Sequence, residues 1–205
     1  MSFKSGVTTR VDNAQAILDA LRSLTKKDVL VGIPSEDSER EDVPFGNAGI
    51  GYVNEYGSPA QNIPPRPHLI PGVKSVEEQT VPQLKAAAQA ALDGNAAGAE
   101  RALNRAGTLA ANGVRRYMTI TGFTPLADST VEARARRGRK GAKAELARRA
   151  AGEPPGTDLV KPLIDTGQYR RAITVTNDVT ASGISVATHK HGGVQTGGGT
   201  TGGPQ

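Results

Sequence analysis

The residues able to do chemistry are few. His189 and His191 sit two positions apart at the end of a predicted strand, so both face one side. Two imidazoles hold a metal only weakly, a structural site needs more ligands, and no acidic residue lies close by in sequence. With no Cys in the chain, thiol nucleophiles, disulfide scaffolds, zinc ribbons and iron–sulfur sites are excluded. Gly46-Asn-Ala-Gly49-Ile-Gly51 has the glycine density of a phosphate loop. It lacks a strand directly before it and a Gly-Lys-Ser/Thr after it, so it reads as a loop-to-helix junction. No serine stands in a Gly-x-Ser-x-Gly setting. The carboxylates fall mostly at helix starts and in loops, where capping and solvation account for them. The expectation is a protein with no catalytic centre, no cofactor and no metal.

Charge gives the strongest signal. The formal net charge is +5, but the excess is local. Residues 131–150 hold Arg134, Arg136, Arg137, Arg139, Lys140, Lys143, Arg148 and Arg149 against Glu132 and Glu145. The rest of the chain is close to neutral. Such a segment suits phosphates or an acidic protein surface, and a solvated, mobile loop is the plain alternative. No aromatic residue is interleaved in it, so it offers no platform for stacking bases.

The elements that must position these groups follow from periodicity. Ala14, Ile17, Leu18, Leu21 and Leu24 paint one face of a helix over 12–24, with Asp12 and Gln15 in a capping-box arrangement. Residues 27–33 read as a buried strand ended by Pro34, and 35–43 as a solvated loop or arm. A short helix is predicted over 47–56, stopped by Gly57. Prolines 59, 64, 65, 67 and 71 make 58–71 stiff and extended. Ser75 with Glu78 predicts a helix start that runs to Leu92, kinked or restarted at Pro82. The longest helix, 95–119, carries Ala99, Leu103, Ala106, Ala110, Gly113 and Tyr117 on one face, whose small residues suit close packing. A short helix to Arg137 follows. Residues 138–160 are poor core material, with 142–150 able to become helical on contact. Asp165 or Thr166 caps one or two helical turns, and 173–177 with 184–188 alternate as a hairpin. Gly192 to Gln205 reads as a flexible Gly/Thr-rich tail.

Composition bounds the whole. A chain of 205 residues is one large domain or two small ones. Only 37% of residues are hydrophobic and 3% aromatic, against 25 Gly and 13 Pro. That predicts a modest core with long loops that gain order against a partner subunit. No run of apolar residues is long enough to span a membrane. Met1 to Arg10 has no apolar core of the signal-peptide type, so the expected setting is a cytoplasm, or something assembled there.

Four segments in order resemble a known family. They are Tyr52-Val-Asn-Glu-Tyr-Gly57, Ile63-Pro-Pro-Arg-Pro-His-Leu69, Thr124-Pro-Leu-Ala-Asp-Ser-Thr-Val-Glu-Ala-Arg134 and Lys161-Pro-Leu-Ile-Asp-Thr-Gly-Gln-Tyr-Arg-Arg-Ala-Ile173. The order is similar to the neck and tail-completion proteins of tailed bacteriophages, the putative tail component or virion morphogenesis type. The resemblance spans roughly 27–190. His68 stands where that family more often has Phe, and 138–160 is longer and more basic than its pattern.

The resemblance implies an α+β fold, with a small, mostly antiparallel sheet packed against a long helix and extended Pro-rich and basic loops. It implies a single domain over 1–191 with a basic arm at about 131–160, and a tail over 192–205. The function it implies is structural: a virion ring, commonly a hexamer, joining the head connector to the tail. The implied neighbours are other copies of the chain, a head–tail connector or collar protein, a tail tube or terminator protein, and packaged DNA in the channel. Subunit or partner contacts are then expected at Tyr52, Glu55, Tyr56, Pro64, Pro65, Arg66, Pro67, His68, Asp165, Thr166 and Gly167, with the basic arm meeting an acidic partner or DNA. The Asp165-Thr166-Gly167 box also has a local reading, an N-cap with a glycine beside it that sets how a short helix enters a strand. The alternative function is a cytoplasmic nucleic-acid-binding module using residues 134–149.

Overall fold

The computed structural model describes residues 13–24, 28–34, 37–41 and 45–176. In chain order these form α1 (Ala14–Leu24), β1 (Leu30–Gly32), α2 (Gly46–Tyr56), α3 (Leu69–Lys74), α4 (Glu77–Leu92), α5 (Ala96–Ile120), α6 (Asp128–Arg136), α7 (Lys140–Ala150), α8 (Gln168–Ala172) and β2 (Thr174–Thr176).

The α+β expectation is overturned. Among the described residues the fold is essentially all-helical, with one two-stranded antiparallel sheet. That sheet pairs Leu30 with Thr176, Val31 with Val175 and Gly32 with Thr174. The strand predicted over 27–33 and the first half of the predicted hairpin therefore pair with each other, across most of the chain. The second half of that hairpin, 184–188, lies outside the described residues, as do the 192–205 tail and both 189 and 191.

Helix α5 is the axis. It packs along α4 and α3, and its middle touches both strands. Small residues permit this. A Cβ on Gly72 of α3 would lie 2.6 Å from the Val114 Cα, and one on Gly113 would lie 2.7 Å from Val76. A Cβ on Gly107 would meet Val175 and Val29 at 2.7 Å. Around this axis Val114, Met118, Phe123, Leu163, Tyr169 and Ile173 form the main core, bordered by Val31, Ile50, Leu69 and Val73. Each such side chain contributes about 1.5–3 kcal/mol by leaving water.

One helix start differs from expectation. α4 begins at Glu77 with Val76 as N-cap and no side-chain cap, because the Ser75 hydroxyl donates to the Gly72 carbonyl instead. The helix continues through Pro82 as one element, while the Thr80 hydroxyl donates to the Glu77 carbonyl one turn before the proline. α5 starts where periodicity places it, capped by Asn95, whose Oδ1 accepts from the Gly98 amide at 2.8 Å.

The predicted extended loops are also corrected. Residues 59–61 form a 3₁₀ turn, and α3 absorbs Pro71 in its first turn, where a missing N–H costs nothing. The basic segment is a helical hairpin, α6 and α7, joined by a turn at Gly138. It has its own small core of Leu126, Val131, Ala142 and Val160. Apolar burial on one side and ion pairing on the other account for the regularity of this stretch.

Candidate functional site: a polar framework and two surfaces

The four motif segments meet in space. From α2, the Glu55 carboxylate accepts from the amides of His68 at 2.7 Å and Leu69 at 2.9 Å through Oε2. Its Oε1 accepts from Ile70 at 3.4 Å. These are the unpaired donors at the start of α3, so a side chain on one helix caps the next. Gly57 makes the approach possible: its φ is +80°, and a Cβ there would lie 2.9 Å from both the Ile63 carbonyl and the Pro65 nitrogen.

His68 is fully buried. Its Nδ1 donates to the Arg66 carbonyl at 2.8 Å, and its Nε2 accepts from the Tyr169 hydroxyl. Burial pushes the imidazole below its ordinary pKa, against the opposing pull of the Arg66 carbonyl and Glu55. The Tyr169 phenol is pushed up, first by burial and then by Glu55. Both groups are thus held neutral, the state this donor–acceptor pairing requires.

Two arginines clasp proline-containing turns. Arg66 Nε donates to the Thr124 carbonyl at 2.9 Å and its Nη2 to Pro125 at 3.1 Å. Arg134 Nη1 donates to the carbonyls of Lys161 at 2.8 Å and Ile164 at 3.1 Å, and its Nη2 to Pro162 at 3.0 Å. Each Thr/Lys-Pro-Leu turn exposes carbonyls without a matching amide ladder, and a guanidinium satisfies several at once. Both arginines are buried.

Asp165 serves the hairpin instead of capping α8. Its Oδ2 pairs with Arg137 at 2.7 Å and its Oδ1 with Arg139 at 2.9 Å. The N-cap of α8 is Gly167, at φ +82°, and the Thr166 hydroxyl accepts from the Gln168 amide at 3.2 Å. Asp165, Thr166 and Gly167 line a cavity of about 460 Å³ with Arg40, Arg134, Arg137, Arg139 and Tyr169.

Within the hairpin, fully buried Glu145 is the hub. It accepts from Arg148 Nε at 3.0 Å, Arg149 Nε at 2.8 Å and the Gly156 amide at 2.8 Å. The Arg148 hydrogen bonds, with those from Gly156 and Arg149, hold its carboxyl at about 2, against the opposing pull of burial. Arg148 also reaches Glu153 at 2.8 Å, Arg149 reaches Asp128 at 2.6 Å and Arg136 lies 3.8 Å from Glu132. With Arg134, whose Nε lies 3.9 Å from the Asp165 Oδ1, six of the eight basic residues are paired within the chain. Lys140 and Lys143 are exposed and have no ion-pair partner among the described residues.

The candidate contact residues separate into two sets. Glu55, Arg66 and His68 are buried and satisfied within the chain. Tyr52, Tyr56, Pro65, Pro67 and Thr166 are exposed, with Pro64, Asp165 and Gly167 between. Sequence reasoning missed Glu145 and Tyr169. The available signal for Glu145 was an acid three and four residues before two arginines. Among the described residues no group of three or more His, Asp or Glu could hold a metal, and no helix is long and apolar enough to cross a membrane.

Comparison with known proteins adds one finding. Residues 183–205 match the GpV Apex motif. The match points to a phage tail component. It covers the C-terminal end alone, beyond the described residues, and includes His189 and His191. No curated protein and no solved structure matches the chain.

Proposed function

We propose that the chain is a structural virion protein of a tailed phage, assembling as a ring in the neck that joins the head connector to the tail. The observation that carries this reading is the meeting of the four family-like segments. Glu55, Arg66, His68, Arg134 and Tyr169 come from the four segments and interlock through side-chain-to-backbone bonds and the His68–Tyr169 side-chain bond. Chance strings have no reason to form one framework. The tail-component match at 183–205 supports the virion setting. The role is mechanical, with no turnover and no cofactor, and the neighbours are other copies, the connector or collar, and the tail tube or terminator.

A second reading has its own observation. The matched motif is an apex motif, which favours a place near a tail spike or baseplate. Gold labelling of the protein in intact particles separates the two. Label at the head–tail junction is expected; label at the distal tail tip would replace the neck reading with the spike reading.

The nucleic-acid alternative draws less support, because most of its cations already serve Glu145, Asp165, Asp128 and Glu153. Its remaining test is duplex DNA binding at low salt, which should fall steeply as salt rises if the segment meets phosphates.

A further inference from the structure

The outer face of α2 is aromatic. Tyr52 and Tyr56 are 67% and 61% exposed, with ring centroids 5.0 Å apart. Phe45, 53% exposed, lies against Gly49 on the same face, where a Cβ would come within 2.5 Å of its ring. Positions 45, 49, 52 and 56 follow the helical repeat, so this is one stripe. The chain has only four tyrosines and three phenylalanines. Placing three of these scarce rings in water is costly unless something covers them.

Elsewhere the chain carries a matching hollow. A groove of about 900 Å³ is lined by Pro59, Pro64, Pro65, Pro125, Pro155 and Pro162, with Arg66 and Arg134 also in its lining. Proline rings present flat, rigid apolar walls. Flat aromatic rings suit such walls, and rigid proline loses little entropy on being covered. The groove therefore selects for aromatic side chains, and the chain itself displays an uncovered aromatic pair.

We propose that Tyr52 and Tyr56 of one copy dock in the proline-lined groove of a second copy. The two surfaces are different patches, so each copy offers one of each, the arrangement that lets a head-to-tail contact close into a ring. The proposal deepens the ring reading and rests on it for its biological setting. It also gives the Pro-Pro-Arg-Pro segment two jobs: Arg66 holds the fold from inside, and the prolines form a wall outside.

The test uses the full chain and two variants, one with Tyr52→Ala and Tyr56→Ala, the other with Ala127→Arg and Thr130→Arg at the exposed groove wall. Far-UV circular dichroism and thermal melts establish that each folds like the parent. Analytical ultracentrifugation then reads association. The parent is expected to self-associate, each variant to associate about thirtyfold more weakly or less, and an equal mixture of the two to form dimers through the one intact pair of surfaces. Undiminished assembly by both folded variants would overturn the docking and leave the ring reading standing. A parent that stays monomeric at high concentration would overturn both.

Discussion

Two regions of this chain solve the same shortage in opposite ways. Both must be stable with few large apolar residues. The body around α5 closes its core with a neutral bond, Tyr169 to His68, beneath Met118 and Ile173. The α6–α7 hairpin has a core of Leu126, Val131, Ala142 and Val160, and closes it with a buried carboxylate between two arginines. The contrast teaches that the basic segment is basic largely because its own fold consumes cations. Its charge is first a structural matter and only then a matter of partners.

The comparison is broken most severely at Glu145. Glu145→Ala leaves Arg148 and Arg149 without their shared acceptor, and removing one partner of a buried pair costs about 3–5 kcal/mol. Hydrogen exchange should show the amides of α7 opening first while those of α4 and α5 stay protected. Equal loss in all three would mean the two regions unfold as one unit.

Tyr169→Phe is the matching cut in the body. It keeps the ring and strands the His68 Nε2, at a cost of about 1–3 kcal/mol. The denaturant midpoint should fall with the slope unchanged, and the α7 amides should be spared.

Acid sharpens the contrast. His68 has a folded pKa below its ordinary 6.5, so its contribution is complete above 6.5 and declines as pH falls below that value. The slope from one such group is at most about 1.4 kcal/mol per pH unit. Glu145 titrates at about 2 when folded against 4.5 otherwise, so its contribution is present above 4.5 and is lost between 4.5 and about 2. Stability measured against pH should show the body weakening first and the hairpin later. Tyr169→Phe should alter the first decline, and Glu145→Gln should remove the second.

The smallest effect is expected where no ion pair exists. Lys140→Glu with Lys143→Glu should shift stability by no more than about 0.5 kcal/mol. Arg137→Glu with Arg139→Glu should cost more, because both guanidiniums hold Asp165.

Much of the fold was legible where periodicity was strong. The amphipathic stretch from Ala14, the small-residue face of α5 and the glycine stop at Gly57 appear in the sequence as they do in space. The pairing of β1 with β2 was not legible, because Val175 alternates without pointing to Val31 and periodicity does not name a partner. Of the α6–α7 hairpin, the helix to Arg137 was legible and α7 was not, because Gly138, Gly141 and a surplus of arginines imitate a solvated loop. What makes it regular is Glu145, an interaction that composition alone does not reveal. At the candidate site the four motif segments come together, but of the two caps the sequence offers for α8, Asp165 turns its carboxylate to Arg137 and Arg139 while Thr166 meets the Gln168 amide. A capping acid and an anchoring acid look alike until the other element is placed beside them.

The account turns on the claim that this chain holds a particle together. Electron microscopy of particles made by a phage lacking this gene tests it most directly. Filled heads and finished tails lying apart, rejoined when the protein is added back, are the predicted result. Joined, infectious particles of normal form would contradict it.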